Sequence, residues 1–195
     1  MQNEIFRNKW NSYVLISFIG IFAGILVAFF SLFPSDDFWG LANFSSGTFA
    51  FWIWTSSLIA LFSSKHYVAG VHVSLYVYFM FYITGICKRL AIVNNGYNTD
   101  SYFYEGLWQE LGYGLLPAFI CFFFAFFLWY GRKNNIFCYI LRFAPLMFIL
   151  LEATGCWVVV MNKNQDMFMA IVDTACAITY PLIILKVSDF KNTTS

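Results

Sequence analysis

Charged residues are scarce in this chain. Among its 195 residues, Asp, Glu, Lys and Arg make up only 11%, whereas apolar residues make up 61%. A soluble domain carries roughly 25% charged residues, because its surface must meet water. A water-soluble fold of this length could not bury so much Phe, Leu, Ile and Trp. The composition therefore predicts that hydrocarbon is the solvent for most of the chain.

The sequence also lacks the motifs of common catalytic and binding sites. Its five cysteines lie in or beside apolar runs without CxxC or CxxxC spacing, so they are interpreted as buried, unpaired thiols rather than as disulfides or zinc ligands. No nucleophile has an obvious base, and the net charge of +1 indicates no nucleic-acid partner. We therefore predict no catalytic residue, no metal and no cofactor, and an intramembrane enzyme is the least supported function.

What the chain does have is a succession of long apolar runs separated by polar turns. A transmembrane helix needs about 20 apolar residues, and each run approaches or exceeds this length. We predict an all-α, polytopic membrane helix bundle: a cytoplasmic N-terminus (1–12), a single six-helix transmembrane domain (13–187) and a cytoplasmic tail (188–195). The predicted helices are residues 13–33, 41–62, 67–87, 111–130, 136–161 and 167–187.

The longest polar segment, residues 88–110, separates the third and fourth predicted helices. Phe103, Leu107 and Leu111 recur at i, i+4 and i+8, which suits a short helix lying in the membrane interface. A plain aromatic-rich loop is the competing interpretation, and the pattern does not decide between them. The candidate contact residues for a partner in this outer loop are Lys88, Arg89, Glu105 and Trp108.

The distribution of basic residues predicts which side of the membrane each turn faces. Cytoplasmic loops of membrane proteins carry an excess of Lys and Arg. With six helices and the N-terminus inside, most of the 11 basic residues fall on the cytoplasmic side, and most of the 10 acidic residues fall outside. We therefore predict an N-in/C-in topology with a basic inner side and an acidic, aromatic outer side.

Two carboxylates, Glu152 and Asp173, stand inside the last two apolar runs. A carboxylate at this depth costs about 3 kcal/mol or more unless it is paired, protonated or wetted. Along antiparallel helices their depths differ by about 5 Å, so the side chains could meet, share a proton or line one cavity. The functional interpretation is a proton or cation site, or the polar wall of a substrate pocket. The structural interpretation is a neutral acid bonded to a neighbouring helix, with Thr154, Thr174 and Thr179 as candidate partners.

Other polar residues in apolar runs could support this intramembrane site. His72 is interpreted as a hydrogen-bonded histidine of the bundle, since no second ligand has metal-binding spacing. Arg142 is predicted to lie at the membrane boundary and to snorkel towards water. Ser56 belongs to the polar second helix, which is predicted to lie inside the bundle. Gly20 and Gly24 form a GxxxG motif, which suits internal packing and dimer formation equally.

Two segments carry a resemblance to known proteins. The first segment is residues 46–54 (SGTFAFWIW), which is followed by Leu-Ile-Ala at 58–60. The second is residues 117–121 (PAFIC), which leads to Trp-Tyr-Gly at 129–131. Both resemble segments of uncharacterised families of small six-helix membrane proteins from low-GC Gram-positive bacteria. The resemblance covers most of the second to fourth predicted helices. It implies a bacterial inner-membrane location and six helices, and it carries no function.

Two functions of different classes fit these features. The first is a small transport or ligand-binding membrane component, in which the fifth and sixth helices and the polar second helix line a site. The second is a non-catalytic sensor, immunity or scaffold subunit of a larger complex. Such a subunit would contact a protein partner, or a second copy of itself, through its outer loop and its short cytoplasmic turns. The lipid bilayer is a predicted partner in either case.

Overall fold

The computed structural model describes the backbone of residues 6–35, 37–45, 49–94, 100–132 and 135–192. This part of the chain is helical, with no β-strand, so the predicted all-α class is confirmed. The α-helices are α1 (Trp10–Phe30), α2 (Ala50–Phe62), α3 (His66–Asn94), α4 (Asp100–Trp129), α5 (Ile136–Lys163) and α6 (Met167–Asn192). Two short 3-10 helices, Leu41–Ser45 and Tyr130–Arg132, complete the set.

Five of the described helices are long and apolar enough to cross a membrane. The exception is α2, whose 13 residues extend about 20 Å, less than the roughly 30 Å of a hydrocarbon core. Large apolar side chains cover the outside of the bundle, as Phe124 does with 70% of its surface exposed. A soluble protein rarely exposes so much apolar surface. The five long helices and their apolar surface suggest a multi-pass membrane protein.

The second predicted helix, residues 41–62, is divided in the structure. Leu41–Ser45 form a 3-10 helix, and α2 begins only at Ala50. The side-chain amide of Asn43 donates a hydrogen bond of 2.6 Å to the carboxylate of Asp166, in the turn between α5 and α6. This contact holds the 3-10 segment at that turn, and the prediction of one continuous helix is wrong.

The polar segment between the third and fourth predicted helices is largely helical. Helix α3 continues to Asn94, and α4 starts at Asp100. Phe103, Leu107 and Leu111 are helical, as their spacing predicted, but they belong to the first turns of α4 and not to a separate helix. The interpretation as a plain loop is wrong. Hydropathy marks the edge of the hydrocarbon, whereas a helix can continue beyond it where water or ion pairs satisfy its polar side chains. The other predicted helices agree with α1, α5 and α6 apart from their ends.

Helix α2 lies between two groups of helices. Helices α1, α3 and α4 pack together, as do α5 and α6, and α2 contacts members of both groups. Accordingly, Ile59 and Ala60 of α2 belong to the buried core shared with α1, α3 and α4. Ala50 and Leu61 of the same helix belong to the core shared with α5 and α6. The short helix therefore joins the two halves of the bundle.

The two glycines of the GxxxG motif face α3. A Cβ atom at Gly20 would lie 2.6 Å from the carbonyl oxygen of Tyr76, and one at Gly24 would lie 2.7 Å from that of Met80. Glycine permits helix backbones to approach this closely. The sequence left internal packing and dimer formation open for this motif. The structure shows that both glycines pack within the chain.

Candidate functional site

Asp173 of α6 is completely buried, with an exposed fraction of 0%. Its Oδ2 accepts a hydrogen bond from the thiol of Cys156, with an S–O distance of 3.3 Å. Its Oδ1 has no hydrogen-bond partner among the described residues. A thiol is a weak donor, so this contact offsets little of the cost of burying a carboxyl group. Asp173 thus has unmet hydrogen-bonding capacity within an apolar helix.

Glu152 of α5 is half-buried and contacts the beginning of α2. Its Oε1 accepts a hydrogen bond of 2.5 Å from the backbone N–H of Phe49, and the N–H of Ala50 bonds to the same carboxylate. The first N–H groups of a helix have no acceptor within that helix. The helix dipole also favours negative charge at this end. Glu152 therefore caps α2 from a neighbouring helix.

The two predicted site carboxylates have different hydrogen-bond partners. No hydrogen bond joins them in the described structure, but they lie within electrostatic range of each other. Cys156 and Cys176 lie within range of both. The arrangement is therefore a cluster of two carboxyl groups and two thiols, here called the carboxyl–thiol cluster: Glu152, Cys156, Asp173 and Cys176. The direct carboxyl–carboxyl contact considered from the sequence is not formed.

The threonines expected to bond to these carboxylates have other partners. Thr154 and Thr179 donate to carbonyl groups of their own helices at 2.8 and 2.7 Å. Thr174 donates to a carbonyl one turn earlier at 2.6 Å and accepts a bond of 2.8 Å from the indole of Trp157. A hydroxyl in a helix readily bonds to the carbonyl of the preceding turn. The expected threonine–carboxylate bonds are therefore absent among the described contacts.

A shallow groove of about 530 Å³ opens beside Glu152 on the outside of the bundle. Its other lining residues are Phe49, Ile53, Phe148 and Leu151. Phe148 and Leu151 are 62% and 66% exposed, so the groove opens towards the medium around the bundle, which is lipid in a membrane. Glu152 is thus the member of the cluster that a molecule dissolved in the bilayer can approach.

Arg142 is buried, contrary to the prediction that it snorkels into water. Only 6% of its surface is exposed, and its Nε donates a hydrogen bond of 2.7 Å to the carbonyl of Gly131. Its guanidinium group also lies 5.0 Å from the ring centre of Tyr139. The carbonyl of Gly131 provides an acceptor within the protein, so the side chain does not need to reach water. Arg142 therefore stabilises the turn between α4 and α5.

His72 lies at the opposite end of the bundle from the turn between α5 and α6. It is completely buried, and its Nδ1 lies 3.0 Å from the hydroxyl of Ser63. The hydroxyl of Ser63 also lies 2.7 Å from the carbonyl oxygen of Ile59, and Nε2 of His72 has no hydrogen-bond partner among the described residues. The carbonyl of Ser63 in turn accepts bonds from the side chains of Trp129 and Arg132 at 2.9 and 2.6 Å. His72 is thus the hydrogen-bonded bundle histidine that the sequence suggested, and it is not part of the carboxyl–thiol cluster.

Ser56, which the sequence singled out, is half-buried, whereas its neighbour Ser57 is buried. Ser57 bonds to the hydroxyl of Tyr180, which donates a bond of 3.1 Å to the carbonyl of Arg142. Sequence reasoning missed Ser57 and Tyr180. It also missed the two thiols of the cluster, although Cys176 and Tyr180 follow Asp173 at i+3 and i+7. That spacing places all three on one face of α6 and could have identified them.

The outer-loop residues predicted to contact a partner fall into two groups. Arg89 forms an ion pair within the chain, with 3.0 Å between its Nε and the Oε1 of Glu110. Trp108 is 77% exposed and Lys88 is half-buried, whereas the side chain of Glu105 lies outside the described residues. Arg89 is therefore bonded within the bundle, and of the three predicted contact residues whose side chains are described, Trp108 is the most exposed.

Two glycines make room for this ion pair. A Cβ atom at Gly85 of α3 would collide with the carboxylate of Glu110, and one at Gly106 of α4 would collide with the guanidinium of Arg89. Each charged side chain therefore crosses to the other helix and lies over its glycine. The two side chains are only 13% and 19% exposed. The ion pair is thus shielded and fixed in position.

A double-mutant cycle should show that this ion pair couples α3 to α4. We expect Arg89→Gln and Glu110→Gln to share a coupling energy of about 1 kcal/mol, near the upper end for partly exposed pairs. Unfolding of the four proteins in detergent, followed by tryptophan fluorescence, measures it. Lys163→Gln on the exposed end of α5 is the control. A coupling energy of zero would mean that the pair contributes nothing to stability.

Comparisons of the chain with protein-family models, with characterised proteins and with solved structures found no match. Among the described residues, no group of three or more His, Cys, Asp or Glu side chains could hold a metal ion. The groups available for chemistry at this site are therefore the carboxyl and thiol groups of the carboxyl–thiol cluster. Carboxyl and thiol groups both accept and donate protons.

Proposed function

We propose that this chain is a six-helix integral protein of a bacterial cell membrane, with both termini on the cytoplasmic side, and that it acts as a small transport or ligand-binding component. Its cargo is a proton or a small cation bound at the carboxyl–thiol cluster. One observation carries this proposal: Asp173 is fully buried within an apolar helix, and one of its oxygens has no partner among the described residues. Ionisable residues inside membranes commonly mark ion pathways and proton relays.

The geometry of α2 supports the same function. A helix of about 20 Å that ends near the membrane boundary must begin within the hydrocarbon. Several transporter folds build their sites where such a discontinuous helix begins, because its free N–H groups provide polarity at that depth. The start of α2 lies against Glu152, beside a groove open to the bilayer. This is where a small transport protein would place its site.

The partners of the two carboxylates favour a proton over a metal cation. The charge of Glu152 is already balanced by the N–H groups of α2. Asp173 has only the thiol of Cys156 as a partner in the described structure. Hard cations need several oxygen ligands, which thiols do not provide. A proton needs a single acceptor atom, which the carboxylate of Asp173 provides.

Proton movement through liposomes tests this proposal. Purified protein is reconstituted with a pH-sensitive dye inside the vesicles, and a potassium gradient with valinomycin imposes a membrane potential. We expect the dye to report proton entry with the native chain, and Asp173→Asn to reduce entry to the rate of empty vesicles. Thr179→Val, on the same helix and bonded within it, is the matched control and should behave like the native chain. Equal rates for Asp173→Asn and the native chain would contradict the proposal.

The alternative function, a sensor, immunity or scaffold subunit, draws support from Trp108, which is 77% exposed near the start of α4. Large exposed aromatic residues are common at contacts between proteins. Purification in mild detergent separates the two functions. A stoichiometric partner lost on Trp108→Ala but kept with Asp173→Asn would favour the subunit role. A protein that purifies alone and moves protons would favour transport.

A further inference from the structure

We propose that protons reach Asp173 from the end of the bundle at which α5 turns into α6, through the thin layer of side chains around Cys156. We call this the α5–α6 end, and the opposite end, where α2 turns into α3, the α2–α3 end. The inference rests on the proposed proton-binding role of Asp173 and adds the direction from which the proton arrives.

The layer that covers Asp173 towards the α5–α6 end is thin. Asp173 lies six residues after Met167, the first residue of α6, which is a depth of about 9 Å. Cys156, about level with Asp173 on α5, packs against Met169 and Ala170, which are the buried apolar residues of this layer. The partly buried Trp157 and Val160 pack against them. Alanine fills little space, and methionine is the most adaptable of the apolar side chains. A small rearrangement of Met169 would admit water to the thiol.

The layer on the other side of Asp173 is thicker and more firmly held. Its buried members are Ala50, Leu61, Ile149, Cys176, Tyr180 and Ile184. Tyr180 is completely buried and is fixed by hydrogen bonds to Ser57 and to the carbonyl of Arg142. A route towards the α2–α3 end would have to break these bonds and displace a layer to which α2, α5 and α6 all contribute. The difference between the two layers sets the direction of access.

Cys156 occupies the position that a proton relay needs. It lies within electrostatic range of three carboxyl groups, those of Glu152, Asp166 and Asp173. Asp166 is in the turn at the α5–α6 end, about 10 Å from Asp173 along the helix axis. In a concerted shift, the thiol accepts a proton from a hydronium ion on the Asp166 side as it passes its own proton to the Oδ2 atom of Asp173 that it contacts, so that water, the thiol and a neutral carboxyl group remain. Asp166 thus marks the surface end of the route, and Cys156 contacts Asp173 at its buried end.

The accessibility of single cysteines tests this route. One protein keeps only Cys156 and another keeps only Cys176, the remaining native cysteines being replaced by alanine. Cys176 is the matched control, because it also lies beside Asp173 but on the side of the thicker layer. Lys163→Cys and Lys65→Cys, each in a chain without other cysteines, report which side of the vesicle each end faces. The probe is a charged, membrane-impermeant methanethiosulfonate, and the readout is the mass of the intact protein.

We expect Cys156 to be modified only from the side that modifies Lys163→Cys, and Cys176 to remain unmodified from both sides over the same period. Modification of Cys156 from the Lys65→Cys side, equal rates for the two native thiols, or no modification of Cys156 would each overturn the route. Proton entry in liposomes is measured separately. If labelling is as expected but no proton entry is measured, access from the α5–α6 end is supported and the proposed function is contradicted. If protons enter but the labelling differs from that expected, the proposed function is supported and the route is contradicted.

A second measurement addresses the thiol directly in the otherwise native chain. Cys156→Ser keeps a group that donates and accepts protons, whereas Cys156→Ala removes it. We expect proton entry to be retained in Cys156→Ser and to fall severalfold in Cys156→Ala, with the two variants eluting alike in size-exclusion chromatography. Equal proton entry in the two variants would exclude the thiol as a relay.

Discussion

Replacement of Glu152 by alanine should lower the free energy of unfolding by about 2–4 kcal/mol and loosen the beginning of α2. The carboxylate accepts hydrogen bonds from Phe49 and Ala50, at a depth where lipid offers no substitute. Each N–H group left without an acceptor costs about 1–3 kcal/mol. The loss is partly offset, because the variant no longer holds a carboxyl group in apolar surroundings.

A matched pair of variants separates the hydrogen bonds from the charge. Glu152→Gln keeps an oxygen that can accept the same bonds and loses only the interaction of the charge with the helix dipole, about 0.3–1 kcal/mol. Thr154→Ala, two residues further on α5 and bonded within its own helix, should be nearly neutral. Trp52 and Trp54 on α2 report unfolding by fluorescence, and amide hydrogen exchange at 49–53 should rise only in the alanine variant. Unchanged exchange in Glu152→Ala would show that the capping bonds do not hold α2.

Gly20→Leu should destabilise the contact between α1 and α3 by about 3 kcal/mol, at the upper end of the range for overpacking. The new Cβ atom would lie 2.6 Å from the carbonyl oxygen of Tyr76 and 3.2 Å from the Cβ of Phe79. The closer of these atoms belongs to the backbone, so no side-chain rotation relieves the clash. The two helices must move apart, and they lose contacts along the core that they share.

Gly155→Leu is the control for this substitution. Gly155 is exposed on α5, and a Cβ atom there would meet nothing within 4 Å. The same change in side chain therefore adds apolar surface towards lipid without a clash, and we expect a change within about 0.5 kcal/mol. Thermal unfolding in detergent compares the two variants. Equal melting temperatures for Gly20→Leu and Gly155→Leu would contradict the close packing of α1 on α3.

The helical class and most helix positions could be predicted from the sequence. An apolar run long enough to cross the hydrocarbon of a membrane must form a helix there, and polar residues mark where each run ends. The division of the second predicted helix could not. The acceptor for the N–H of Phe49 is a side chain 103 residues later, and no local pattern reveals such a partner. The extension of α3 to Asn94 also escaped prediction, since hydropathy falls where the hydrocarbon ends and not where the helix does.

The approximate level of the two site carboxylates along their helices could be predicted from the sequence, but the residues that they contact could not. Counting residues along antiparallel helices placed Glu152 and Asp173 at similar levels, and they do lie within electrostatic range of each other. The rotation of each helix about its axis decides which neighbours a side chain meets. That rotation turned Glu152 towards α2 and Asp173 towards Cys156. Burial of Arg142 was missed for a similar reason, because its acceptor belongs to the turn before α5.

Helix α2 is held at both ends by hydrogen bonds to residues that come later in the chain, and this affects the order in which the protein assembles. The carbonyl of Ser63, just after α2, receives bonds from Trp129 and Arg132, and the start of α2 is capped by Glu152. A ribosome makes all of these partners long after α2 itself has been synthesised. The end of α2 can be bound once α4 is complete, but its start has no cap until α5 has entered the membrane. A chain truncated before α5 should leave α2 open to proteases that the complete protein resists.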